Sequence, residues 1–203
     1  MHNEIKAVIG SNFGDEGKGL TTNYFAEQFK KQNKKCIVIC TNGGAQRGHT
    51  VCLPSGVRHI FHHFGSGTFQ NADTLFPYEF IINPMQFKKE YLEIQKYISK
   101  CNIFANINCF VSTPYDMIIN QVIEESRKHN RHGSTGFGIW ETIKRSNINE
   151  YKLTINNLLN NNLIIFLKNI RDIYYEKIIS EYNLKLNKTW KNIFYSDNLL
   201  YNF

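Results

Sequence analysis

Between a short apolar run, Ala7-Val8-Ile9, and a helix-capable stretch, Leu20–Gln32, lies the segment GSNFGDEGKGL, Gly10 to Leu20. Glycines this dense weaken helix and strand alike, so here the backbone must turn sharply or approach something closely. Lys18 in the same turn gives that something a sign: it is an anion. A glycine turn from strand to helix gathers successive N–H groups into a nest, and the helix start adds its positive end. The spacing departs from the standard phosphate-binding loop, which needs Gly, four residues, then Gly-Lys-Ser/Thr. Six residues separate Gly10 from Gly17, and Gly19 stands where the magnesium-binding hydroxyl would be. A solvated glycine-rich surface turn has the same composition, and this segment alone does not separate the two readings.

The flanks place the turn in an α/β unit. Ala7–Gly10 reads as a strand, Leu20–Gln32 as a helix and Lys35–Cys40 as a second, buried strand. Strand, helix, strand with short loops argues for a mostly parallel sheet flanked by helices. Val57–Phe64 and Ile103–Val111 read as further strands. Pro84–Lys100 and Asp116–His129, the latter behind Pro114, read as helices. Beyond about residue 146 the texture shifts to Asn, Ile, Leu, Lys and Tyr, and glycine is absent after Gly138. Leu163, Leu167, Ile170, Tyr174 and Ile178 recur at helical spacing and predict core-packing helices. The expected division is an α/β domain over 1–150 with a mainly helical continuation over 151–203.

Composition narrows the function classes. With 42% hydrophobic and 14% aromatic residues, the 203-residue chain can build a real core. Its net charge of +7 suits nucleic acid or phosphorylated small molecules. Basic residues are scattered, with no run beyond pairs such as Lys30-Lys31 and Lys34-Lys35, and no nucleic-acid-binding motif is present, so no nucleic-acid partner is expected. Cys36, Cys40, Cys52, Cys101 and Cys109 form no paired C-x-x-C pattern and read as reduced core thiols. No apolar run approaches a membrane span of roughly 18 residues, and no signal-type segment opens the chain. These features predict a soluble, cytoplasmic protein with no membrane partner.

Three further segments carry chemistry. NGGAQRGHT, Asn42 to Thr50, follows the Lys35–Cys40 strand, where loops of an α/β sheet line the ligand crevice. His49 there can deliver or accept a proton near neutrality. In RHIFHHFGSGTF, Arg58 to Phe69, His62 or His63 approaches the turn Gly65-Ser66-Gly67. In RHGSTGFGIWETIKR, Arg131 to Arg145, Ser134, Thr135 and Gly136 offer hydroxyls and N–H groups, and Lys144 or Arg145 can reach an anion. Each segment alone fits an ordinary strand, turn or Gly/Ser loop as well.

Together, in this order and spacing, they resemble the adenylosuccinate synthetases. Gly10–Gly19 matches that family's G-x-x-x-G-D-E-G-K-G. Gly43–Val51 matches its GG…GHT loop, with Gln46-Arg47 in place of the usual Asn-Ala. His62 with Ser66-Gly67 matches its H…SG segment, and Thr135-Gly136 with Gly138 its TG-x-G segment, where Phe137 replaces the usual arginine. The resemblance covers roughly residues 5 to 146. It implies a P-loop-NTPase-like α/β fold and a two-step ligation. The 6-oxygen of inosine monophosphate (IMP) is phosphorylated by GTP, and the amine of L-aspartate then displaces phosphate.

The resemblance also implies roles. Asp15 takes the proton from purine N1 and, with Gly48, holds Mg²⁺; His49 assists the transferring phosphoryl group. Gly14, Gly17, Lys18, Gly19, Gly48 and Thr50 hold the nucleotide phosphates. Glu16 belongs to the same nucleotide-binding loop; next to Asp15 it must point elsewhere, and its part there is read as structural. Asn42, Gln46, Ser134, Thr135 and Gly136 hold the monophosphate substrate. Arg145, with Lys144 beside it, is the candidate arginine that reaches into a partner subunit's site in a homodimer. The variant motifs NGGAQRGHT, FHHFGSGTF and HGSTGFG look closer to short virus-encoded relatives than to the usual cellular form; some of those relatives make 2-aminoadenylosuccinate from deoxyguanylate (dGMP), so IMP or dGMP as substrate and GTP or ATP as donor all stand. Nothing after residue 150 resembles the family's base-recognition and aspartate-binding segments. The expectation is a fold incomplete at its C-terminal side, and a non-catalytic nucleotide-binding remnant stands as an alternative.

Overall fold

The computed structural model describes residues 4–12, 14–41 and 43–203. Its centre is a three-stranded parallel sheet in the order β1–β4–β5: β1 is Ile37–Ile39, β4 is Asp73–Phe76 and β5 is Ile103–Ala105. Between β1 and β4 the chain makes an antiparallel hairpin of β2 (His49–Cys52) and β3 (Arg58–Phe61), in which His49 lies opposite Phe61.

Helix α1, Lys18–Lys31, precedes β1, and α2, Pro84–Ile94, joins β4 to β5. Lys30 and Lys31 in the last turn of α1 suit the negative end of its dipole. Asn83 starts α2 by accepting the Gln86 N–H, with Pro84 in the first turn, where its missing N–H costs nothing. Helix α3, Pro114–Ser126, opens on a reciprocal cap between Thr113 and Asp116. Helix α4 is Ile139–Ser146. After a return to the sheet end, where the Ile155 N–H reaches the Cys109 carbonyl, short helices between Ile155 and Tyr201 pack on α3. Ile119, Val122, Leu153, Leu167, Ile170, Tyr175 and Phe194 form their shared core. A π-helical stretch, Ile170–Tyr175, interrupts this run.

Several expectations need correction. Ala7–Gly10 is not a strand: among the described residues no strand pairs with it, and Ile5 and Ile9 are exposed. An isolated extended segment has no ladder to join. Lys35–Cys40 contributes a strand only over Ile37–Ile39, and that strand is covered on one face alone. The strand expected over 103–111 stops at Ala105, because Asn106 turns the chain by accepting N–H groups from Asn108 and Cys109. Helix α2 ends at Ile94. The middle strand, β4, was not anticipated at all. The cysteines are unpaired; Cys40 and Cys109 are buried, whereas Cys52 is exposed. Among the described residues no helix is long and apolar enough to cross a membrane.

One buried carboxylate fixes the segment after β3. Glu90 on α2 accepts N–H groups from His62 (3.0 Å), His63 (2.7 Å) and Phe64 (3.2 Å). This holds the chain so that Gly65 passes against Val38 and Thr74 of the sheet, where a side chain would not fit. Glu90→Ala should lower the unfolding free energy by about 3 kcal/mol or more, because three buried donors lose a charged acceptor. Urea denaturation of both proteins measures it, and a change under about 1 kcal/mol would contradict this role.

Candidate active site

The four glycine-rich segments meet in space. Gly19, in the first turn of α1, lies against β2: a Cβ there would stand 2.9 Å from the His49 backbone and 2.9 Å from the Thr50 carbonyl oxygen. Only a glycine lets the helix start close on the strand, and this brings Lys18 beside His49. Arg47 ties the second segment to the third, with its guanidinium donating to the His62, His63 (2.7 Å) and Phe64 (3.3 Å) carbonyls while lying over the Phe80 ring. His62 Nδ1 lies 2.8 Å from the Ala45 carbonyl oxygen, and its ring faces Phe137 of the fourth segment. Gly44 backs onto Ile81 and Ile139, which fits α4 against the second segment.

In the first segment the backbone bends into the left-handed region repeatedly, at Gly14 (φ 121°), Asp15 (φ 54°) and Gly17 (φ 76°). Beyond Gly14 and Gly17 the space is open. Glu16 folds inward, accepting the Asn12 N–H and pairing with the Lys18 ammonium at 2.6 Å. The lysine, and then the Asn12 N–H, hold its carboxyl below the usual range. Asp15 points to solvent. Glu16 is therefore engaged within the loop, whereas Asp15 is exposed.

His49 is half-buried. Burial first, then the nearby Arg47, Lys18 and His62, hold its imidazole down to about 4, so it is uncharged at neutral pH. His63 is different: it is fully buried, its Nε2 accepts the Asn83 N–H at 3.0 Å, and burial lowers its proton affinity. His63 is a structural residue, and His62 is the histidine of this pair that borders the cleft.

A cavity of about 300 Å³ opens beside these groups, lined among others by Gln46, Asn120, Ser134, Thr135, Gly138 and Trp140. Gly138 enters α4 at φ 66°, and the Asp116 backbone leaves no room for a side chain there. Three polar residues one turn apart on α3 hold the fourth segment in place. Glu124 accepts the His132 and Gly133 N–H groups, Asn120 accepts the Ser134 hydroxyl at 2.6 Å and donates to Glu141 at 2.8 Å, and Asp116 holds Arg145. The sequence reading missed Asn120, Arg47 and Trp140; the i, i+4, i+8 spacing of Asp116, Asn120 and Glu124 within an apolar helix was the available signal.

Arg145 does not reach this site. It is fully buried, donating to both Asp116 oxygens at 2.9 Å and to the Val111 and Tyr151 carbonyls. Its expected outward, substrate-binding role is corrected on that ground: every direction of the guanidinium that matters is spent inside the protein. Asn42 lies outside the described residues. Magnesium at nucleotide sites is held by one or two carboxylates together with substrate phosphates. The exposed Asp15 carboxylate and the Gly48 carbonyl, beside the open face at Gly14 and Gly17, suit it in kind.

Residues 7–199 match the family model described as adenylosuccinate synthetase. The chain belongs to the adenylosuccinate synthetase family. The synthetase of Borrelia turicatae is 28% identical over 192 residues, covering 88% of this chain and 43% of that protein. The synthetase of Chlorobium luteolum is 30% identical over 135 residues, covering 65% of this chain and 30% of its own length. The chain thus spans less than half the length of these relatives. The solved structure of fully ligated adenylosuccinate synthetase from Plasmodium falciparum overlays with a TM-score of 0.67 at 20% identity, covering 95% of this chain and 42% of that one. The parallel sheet with helices packed on it is that family's fold.

Two outcomes test this geometry. In an NMR titration the His49 ring should stay neutral until about pH 4, and its midpoint should rise when a magnesium–nucleoside triphosphate is added, because the phosphates offset Arg47 and Lys18. A free-protein midpoint near 6.5 would contradict the burial of His49. Arg145→Met should cost about 3–5 kcal/mol in urea denaturation by leaving the Asp116 charge unpaired in the interior. At temperatures where the variant is folded its nucleotide affinity should be unchanged; a selective loss of affinity would return Arg145 to the site.

Proposed function

We propose that this chain carries the phosphoryl-transfer part of a synthetase site, binding GTP and IMP and promoting formation of the 6-phosphoryl intermediate to which L-aspartate adds. The observation that carries the reading is the convergence of the nest, the Lys18 helix start and His49 on one open face, beside the cavity at Ser134 and Thr135. Phosphoryl transfer needs little covalent chemistry from a protein; it needs positioning and opposite charge where negative charge builds up.

Within this reading the N–H groups of Gly14, Gly17 and Gly19 and the Lys18 ammonium bind the donor phosphates, with Thr50 bordering them. Asp15 accepts the purine N1 proton, which raises the nucleophilicity of the 6-oxygen. His49, neutral in the free protein, donates a hydrogen bond to the transferring group. Asp15 and the Gly48 carbonyl would hold magnesium, which when bound would supply charge neutralisation at the donor phosphates. Gln46, Ser134, Thr135 and Gly136 orient the monophosphate. A two-fold dimer belongs to the same reading, with the partly exposed Lys144, now paired loosely with Glu141 at 3.7 Å, as the cation available to a partner subunit.

Lys18→Ala should weaken magnesium–GTP or –ATP binding by about tenfold or more without loss of stability, since a charge-assisted bond contributes about 1.5–3 kcal/mol. Isothermal titration reads this directly, and equal affinities would remove the phosphate site. Asp15→Asn keeps a residue that tolerates φ 54° while removing the base, so it should abolish phosphorylation of IMP with little change in IMP binding; general-base catalysis is commonly worth about 10²–10⁴-fold. Incubation with GTP or ATP, aspartate and either IMP or dGMP, read by mass spectrometry, identifies the substrate. No succinyl product with either, alongside intact nucleotide binding, would favour the non-catalytic reading.

A further inference from the structure

Ser134 borders the cavity, but its hydroxyl hydrogen is spent elsewhere. It donates to Oδ1 of Asn120 at 2.6 Å, while its oxygen accepts the Gly136 N–H at 3.2 Å. The Asn120 amide can turn its carbonyl to Ser134 because its Nδ2 has an acceptor on the other side, Oε2 of Glu141 at 2.8 Å. Asn120 and Glu141 are both buried. The donors therefore run one way, from Ser134 through Asn120 to Glu141. An ionised carboxylate only accepts, so that direction is fixed while Glu141 is charged.

A protonated Glu141 reverses the direction. Its carboxyl donates to Oδ1 of Asn120, the amide turns over, and Nδ2 donates to the Ser134 oxygen, whose second lone pair still serves Gly136. The serine hydrogen is then released toward the cavity, where Gln46, Thr135 and Trp140 stand. Every buried member keeps a partner in both arrangements, so neither carries the cost of an unsatisfied polar group. The charged and titratable groups facing Glu141 are Lys144 on its own helix, 3.7 Å from Oε1, Asp116 on α3, itself paired with Arg145, and Tyr174 on the π-helical stretch. Burial pushes the Glu141 carboxyl above its usual range against the pull of Lys144 and Asn120, and Asp116 adds to the rise.

We propose that Glu141 is a positioning residue for this cavity: its charge state, read through Asn120, decides whether the Ser134 hydroxyl donates into the cavity or away from it. The ligand that profits is a phosphate monoester, which accepts the released hydrogen bond and, by repulsion, favours a neutral Glu141. That last step rests on the monophosphate reading given above; the relay itself does not. Its sign is fixed: a falling pH neutralises Glu141 and strengthens binding of the anion.

Two measurements separate the relay from the site. In NMR of the free protein, the Glu141 carboxyl, the Asn120 side-chain amide and the Gly136 N–H should titrate with one midpoint, above that of a free carboxylate. Glu141→Gln turns its amide oxygen to Lys144 and its nitrogen to Asn120, which fixes the reversed direction, so the Asn120 and Gly136 signals should lose that titration. With IMP or dGMP at about pH 8, isothermal titration should give about tenfold tighter binding by Glu141→Gln than by the unaltered protein, the difference closing as pH falls through the Glu141 midpoint. Removing a negative charge also helps any anion, so the comparison is repeated in a Ser134→Ala background, where the gain should shrink to about twofold or less. Circular dichroism confirms that each variant is folded. An Asn120 amide or Gly136 N–H that ignores the Glu141 titration, or an equal gain in both backgrounds, would overturn the proposal. A shared midpoint without binding of either monophosphate would support the relay and remove the monophosphate reading.

Discussion

The fold hangs on a buried ion pair. Asp116 closes the cap of α3, accepts hydrogen bonds from Nε and Nη2 of Arg145 and from the Tyr175 hydroxyl, while Arg145 also donates to the carbonyls of Val111 and Tyr151. Five stretches of chain converge on two side chains: the end of the sheet, α3, α4, the turn after α4 and the π-helical stretch. Buried charges are tolerable only when geometry and additional hydrogen bonds are this complete. The π-helical stretch ends at Tyr175, whose hydroxyl reaches inward to Asp116.

From that anchor the cleft is built by approach rather than by reactive groups. Glycine at 19 and 138 lets helix starts close on neighbouring backbone, and Arg47 gathers the carbonyls after β3 into one fixed arc. The cost is electrostatic. Burial first, and then Arg47 and Lys18, lower the proton affinity of the half-buried His49. An anionic ligand beside His49 would offset Arg47 and Lys18 and raise its proton affinity again.

Much of the cleft was legible in the sequence because glycine density, a lysine and a histidine between glycine and threonine are local signals. Parts of the fold were not. The middle strand is four residues, Asp73-Thr74-Leu75-Phe76, too short to show a period. Ala7–Gly10 has strand composition, but pairing is a property of neighbours that composition does not carry. Arg145 in the last turn of α4 reads as a solvated or substrate-seeking cation; only the position of Asp116, 29 residues earlier, makes it a core residue. The bare face of β1 was hidden for a related reason, since an apolar run such as KCIVIC looks the same whether one face is covered or two.

The pairing of Lys18 with Glu16 across 2.6 Å has a consequence for which ligands the nest can hold. The lysine arrives already neutralised, so any anion must compete with an intramolecular carboxylate that is always present at high local concentration. A singly charged visitor gains little by displacing it. An anion offering several oxygens to the lysine and the nest together would compete with Glu16 better than a singly charged one. The glutamate would thereby set, from within the loop, how much negative charge a ligand there must bring.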